Sequence, residues 1–175
     1  MQSTFLNSIY LLIVKARSKV LVYLTHRMAL PILRLIRKPE AFPYTRQQLQ
    51  ALPLPTLGKA LATMLEENEF ELLTHYAKHD MKHILLGYST TDKGEVCLQA
   101  FMCGNGHLSF PVISTLLFGF LTMPEYWKAF YKAWQRGRSA NKISHWNWVA
   151  IVNQPTTVLQ KKIFNTPTTN YANTN

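Results

Sequence analysis

The stretch HDMKHILLGYSTTDKGE, from His79 to Glu95, gathers side chains that can hold a cation. His79 and His83 are four residues apart with Asp80 beside the first, and eleven residues separate His83 from Glu95. On a helix, residues i and i+4 lie one turn apart on one face, so the two imidazoles can aim at one point. Asp80, three residues before His83, reaches the edge of the same point. Gly87 is placed to end that helix in a left-handed residue, and the Ser/Thr/Asp/Gly-rich run after it reads as a turn. Glu95 then opens a second helix and can lean back against the first. Imidazoles with carboxylates form a zinc set that iron or manganese also accepts. Spacing alone leaves a second reading open. Histidines at i and i+4 occur by chance on exposed helices, and Asp92 to Glu95 has capping-box spacing, with Asp92 as N-cap and Glu95 at N3.

Other chemistries find no support. The chain has no G-x-S-x-G elbow, no Walker A loop and no G-x-G-x-x-G turn. A phosphohydrolase of the His-Asp class needs further ligands on distant helices, whereas here they cluster. His26, His75, His107 and His145 lack comparable partners and read as surface or core residues. Cys97 and Cys103 form neither a C-x-x-C pair nor a disulfide framework, which suits a reducing compartment.

The elements that must position the four ligands are helical. Residues 4–29 read as a helix, with Pro31 as a break. TRQQLQAL reads as a short helix capped by Thr45, and the segment from Thr56 to Gly87 as helix broken near Asn68. EVCLQAFMCG, FPVISTLLFGFLT and EYWKAFYKAWQRG follow as three more helices, with one or two short ones before the C-terminal tail. No alternating strand pattern and no internal repeat stands out. The expectation is an all-α, single-domain helical bundle with a metal site on a helical hairpin. It divides into a basic amphipathic segment (1–38), a helical domain (39–165) and a disordered polar tail (166–175). Phe101, Phe110, Leu116, Leu117, Phe118 and Phe120 form an apolar stripe that serves either as plain core or as the wall of a lipid groove.

Charge is unevenly placed on this chain of 175 residues and net charge +10. Residues 1–39 carry seven bases and no acid, and so do the residues from Lys128 onward, whereas all nine acids lie between them. Basic ends imply an anionic partner. No nucleic-acid module is present, and the N-terminal bases are interleaved with Leu, Ile, Val and Tyr, which favours peripheral contact with a lipid surface over nucleic acid. No apolar run is long enough to span a bilayer and no secretory signal is evident, although an acid-free, Arg-containing start also fits a mitochondrial transit peptide.

The pattern His-Asp-x-x-His, eleven residues, then Glu resembles the zinc-ligand motif of the coenzyme Q (ubiquinone) biosynthesis protein 4 family. LPLPTLGKALATMLEEN, HILLGYSTTDKGEV and Gly137-Arg138 followed by Trp146 or Trp148 resemble further pieces of that family in the same order, over about Leu52 to Phe164. The resemblance implies an all-helical fold and zinc ligands at His79, Asp80, His83 and Glu95. It also implies a role in loss of the C1 carboxyl group of a polyprenylated hydroxybenzoate, a lyase reaction, and in organising other quinone-biosynthesis enzymes at a membrane. A non-enzymatic prenyl-lipid-binding scaffold with a structural zinc site is the alternative, and a homodimer is compatible with either. The implied location is peripheral: the cytoplasmic face of a bacterial inner membrane, or the matrix side of the mitochondrial one.

Overall fold

Caps written in the sequence set where the helices begin. In the computed structural model, which describes residues 11–20 and 41–164, Thr45 forms a full capping box with Gln48. Residues 11–20 are helical (α1), followed by Arg46–Gln50 (α2), Leu57–Glu67 (α3), Ala77–Leu86 (α4) and Asp92–Gly104 (α5). Phe110–Thr122 (α6), a 3-10 turn at Pro124–Tyr126, Trp127–Ser139 (α7) and Thr156–Phe164 (α8) complete the chain as described. No strand occurs among the described residues, only an isolated bridge between Thr56 and Pro155. The fold is all-α, as expected. Asn68 ends α3 and Gly87, at φ +70°, ends α4. The remainder of the expected 4–29 helix, the break at Pro31 and the tail at 166–175 lie outside the described residues.

The break near Asn68 is wider than expected, since residues 69–76 form no α-helix, and the start of α5 differs with a consequence for the site. α5 begins at Asp92, and its N-cap is Thr91, whose hydroxyl accepts from the Gly94 N–H at 3.3 Å. The cap therefore sits one residue earlier than Asp92, because a Thr hydroxyl serves as acceptor as well as a carboxylate does. Glu95 falls beyond the N3 position, so its carboxylate is not the closing half of a capping box.

The core is built where α3, α4, α5 and α8 meet, with Leu61, Leu65, Met81, Leu85, Phe101 and Ile163 fully buried. α5 and α7 approach more closely than side chains would permit. A Cβ on Gly104 would stand 2.1 Å from the Trp134 carbonyl oxygen, and one on Gly137 would stand 2.1 Å from that of Phe101. Buried Asn105 ties the same crossing: its amide donates to the carbonyls of Gly137 and Asn141 at 3.1 Å, and its oxygen accepts from the Ile143 N–H at 3.1 Å. Satisfied on both sides, the amide carries no burial penalty and fixes the entry of the C-terminal segment.

Gly137→Ala is expected to lower stability by about 3 kcal/mol or more, since the clash is with backbone that cannot rotate away. Gly87→Ala, with open space around it, should cost only the left-handed conformation, about 1 kcal/mol. Urea denaturation of both variants checks the ranking, and equal losses would contradict the backbone contact.

Candidate metal centre

α4 presents His79 and His83 on one face, and the turn after Gly87 brings Glu95 of α5 opposite them. The two Nε2 atoms are 3.0 Å apart. Glu95 Oε2 lies 3.1 Å from His79 Nε2, and Oε1 lies 3.0 Å from His83 Nε2. These three ligand atoms all fall within 4.8 Å of one another. Donors about 2.0–2.2 Å from a tetrahedral or octahedral metal are separated by about 2.8–3.6 Å, so the observed spacing is that of a coordination polyhedron's edges.

Proton bookkeeping supports the same conclusion. His83 Nδ1 is 3.0 Å from the Tyr88 carbonyl oxygen. A carbonyl can only accept, so Nδ1 carries the proton and the neutral ring has a bare Nε2. That bare nitrogen faces a second imidazole nitrogen and a carboxylate. Such a cluster of lone pairs is stable only with a proton or a cation among them, and a ring held through Nδ1–H to a carbonyl is how metal-ligating histidines are commonly oriented.

The electrostatics agree. Burial by itself would raise the Glu95 carboxyl, but the hydrogen bonds and charges of His79 and His83 hold it well below the usual carboxylate range. Burial would likewise lower His83; the bond and charge of Glu95, the Tyr88 carbonyl and the Asp80 charge together raise it instead. Tyr76, edge-on to His79 at 6.2 Å between ring centroids, is pushed up to about 12 by burial and by the charges of Glu95 and Asp80. The ionised carboxylate and the histidines thus hold one another through protons, whose place a bound cation would take.

The structure brings His79, His83 and Glu95 together. Asp80 is half-buried beside them and acts on His83 and Tyr76 through its charge, but its carboxylate is not one of the three converging groups. His75 and His145 are exposed, His107 is half-buried, and His26 lies outside the described residues. His145 lines a cleft of about 630 Å³ with Lys142, Trp146 and Ile151; none of the four candidate ligands takes part in it.

Arg136 is a residue that sequence reasoning missed. From α7 it donates to the Leu86 carbonyl at 2.5 Å, and its guanidinium lies 5.3 Å from the Tyr88 ring and 4.2 Å from the Phe164 ring. It thus clamps the turn whose Tyr88 carbonyl orients His83. Fifty positions of sequence separate Arg136 from Leu86, so no local pattern could have signalled the contact.

No family model matches this chain, and no curated protein does. Among solved structures it is similar to a crystal structure from Nostoc punctiforme PCC 73102 that bears a provisional name, ubiquinone biosynthesis protein. The TM-score is 0.58 at 19% identity, over 87% of this chain and 81% of the other. The two share a fold.

Two outcomes follow for the metal-free and zinc-loaded protein. Glu95 is held low in the folded state, so its contribution to stability is present above the ordinary carboxylate pKa of ~4.3 and is lost as acid protonates it. His83 is raised, so its contribution is full below ~6.5 and fades as pH climbs through the raised value. Metal-free protein should therefore lose thermal stability as pH rises through that value, while zinc-loaded protein gains it, because zinc displaces the proton. Melting curves across pH with and without zinc test this, and parallel profiles would refute it. Arg136→Ala is expected to weaken zinc binding by about tenfold, as loss of an orienting neighbour does; competition with a chromophoric chelator measures it.

Proposed function

We propose that this chain is a ubiquinone-biosynthesis protein that acts on a polyprenylated hydroxybenzoate during loss of its C1 carboxyl group, with a divalent metal, zinc foremost, at His79, Asp80, His83 and Glu95. The observation that carries this reading is the spacing of His83 Nε2, His79 Nε2 and the Glu95 carboxylate, with His83 Nδ1 turned to the Tyr88 carbonyl. The sequence motif and the fold shared with the Nostoc protein, which is named for ubiquinone biosynthesis, support the pathway.

When bound, the metal would act as a Lewis acid on the substrate's carboxylate or phenolate. The protein's own part would be to orient. His79, His83 and Glu95 would fix the position of the acid end. Tyr76, edge-on to His79 and raised to about 12, stays protonated beside the ligands, so its hydroxyl is a hydrogen-bond donor there rather than a proton source. Three protein ligands converge, and although Asp80 as a fourth would fill a tetrahedral site, two carboxylates can change how many oxygens they offer and so leave a position for substrate.

Part of the apolar stripe would serve the tail. Gly119 of α6 packs on Val96, the residue after Glu95, so α6 backs directly onto the ligand-bearing helix. Basic residues at 1–38 would add peripheral membrane contact, about 1 kcal/mol each near an anionic leaflet, and hold the protein near other quinone-biosynthesis enzymes. The non-enzymatic scaffold remains the second reading. It is favoured by the apolar outer surface of α6, where Phe110, Leu117 and Phe120 are exposed.

Cells lacking the gene are expected to accumulate a prenylated hydroxybenzoic acid and to lack the mature quinone, as read by lipid mass spectrometry. His79→Ala, folded by circular dichroism but depleted of metal by elemental analysis, should fail to restore the quinone. Asp80→Asn should also lose metal if it is the fourth ligand. Carbon dioxide release by purified protein from the prenylated acid supports the enzyme; partner enzymes dissociating without any turnover supports the scaffold. A normal quinone pool in the deletion cells would sink both.

A further inference from the structure

α6 turns its inner face, Val112, Thr115 and Gly119, onto the bundle. Its outer face carries Phe110, Ile113, Leu117, Phe120 and Leu121, all more than half exposed. Their spacings of three and four residues make one continuous stripe along a helix about 20 Å long. Leu108, just before the helix, is exposed as well. The stripe continues onto α7, where exposed Trp127 stacks on Phe120 at 4.6 Å with the rings 6° from parallel. Tyr131, one turn further, is also exposed. An apolar surface of this extent marks a docking site on a folded protein.

The charges around the stripe select its occupant. Lys128 and Lys132 are exposed on the same helix as Trp127 and Tyr131, one residue round from each. From Leu108 to Ala140 the chain holds one acid, Glu125, and Arg17 of α1 pairs with it at 2.6 Å. A two-fold contact with a second copy would set this basic rim against itself, with no unpaired acid from this segment to balance it. An apolar stripe with Trp and Tyr at its edge and lysines beside them is instead the make-up of a helix lying in a lipid interface. No helix among the described residues is long and apolar enough to cross a membrane, so α6 would lie in the surface rather than span it.

We propose that the outer face of α6, with Trp127, Tyr131, Lys128 and Lys132 of α7, seats the protein on an anionic lipid bilayer. This contact is made by residues other than the basic segment at 1–38, whose Arg17 meets the end of α6, and it does not depend on the quinone reading. It also has a consequence for that reading. The helix whose outer face meets lipid has its inner face against Val96, the residue after Glu95, so the lipid-facing helix and the ligand-bearing helix are direct packing partners.

The test uses the full chain and vesicles of phosphatidylcholine with or without phosphatidylglycerol. Wild type should float with the anionic vesicles and less with the neutral ones. Leu117→Glu with Phe120→Glu, both exposed and so harmless to the core, should weaken partitioning by about tenfold or more, since each apolar side chain buried in lipid contributes on that scale. Lys128→Glu with Lys132→Glu should reduce the preference for anionic vesicles, and what remains should be lost only when the basic residues at 1–38 are neutralised as well. Unchanged flotation of the Leu117/Phe120 variant, with its melting curve intact, overturns the proposal. So does conversion of a dimer to a monomer by that variant, in light scattering, with vesicle binding retained.

Discussion

The contact on which the rest depends is the backbone-to-backbone crossing of α5 and α7 at Gly104 and Gly137. A carbonyl oxygen stands where a Cβ would be at each glycine, so the two helices cannot approach this closely with any other residue there. α5 carries Glu95, and α7 carries Arg136, which reaches the end of α4 at the Leu86 carbonyl. The crossing therefore fixes the distance between the carboxylate on one helix and the turn that orients the histidine on the next. Asn105 locks the same junction with a buried amide satisfied on both its donor and acceptor sides. Without that spacing the site would hold its residues but not its geometry.

The site itself is governed by a scarcity of protons. A carbonyl claims the proton of His83 Nδ1, leaving a lone pair that faces a second imidazole and a carboxylate. Burial penalises the charged form of Glu95, yet the histidines outweigh it and keep the carboxylate ionised. The same negative charge, with that of Asp80, pushes the neighbouring Tyr76 phenol up to about 12 after burial has already raised it. Each group is explicable only with its neighbours present, which is why single residues in such a cluster are poor guides to its chemistry.

The molecule is polarised around this centre. α3, α4 and α8 pack on the inner side of α5 and form the principal core. On the other side α6 is a single layer, anchored by Val112, Thr115 and Gly119, with nothing among the described residues burying its outer stripe. α1 touches the far end of α6, where Arg17 donates to the Thr122 carbonyl and pairs with Glu125. That ion pair removes the acid nearest the stripe from the field a lipid surface would meet.

Local sequence determined a good deal: the helical class, the starts at Thr45 and Thr56, the stops at Asn68 and Gly87, and the placing of His79 and His83 on one face. Caps, left-handed glycines and the 3.6-residue period act within a turn or two, so they are legible without a fold. Which of two neighbouring residues capped α5 was not legible, because Thr91 and Asp92 are both competent and only the observed chain path selects one. Nor could periodicity say which apolar residues are core. Phe101 is fully buried while Phe110, Leu117 and Phe120 face outward, since a stripe is defined by its own helix but buried only by another. The convergence of Glu95 with both histidines, the clamp from Arg136 and the glycine crossing belong to the tertiary structure alone. They join positions far apart in the chain, and the distances between such positions are set by packing rather than by any rule that acts along the backbone.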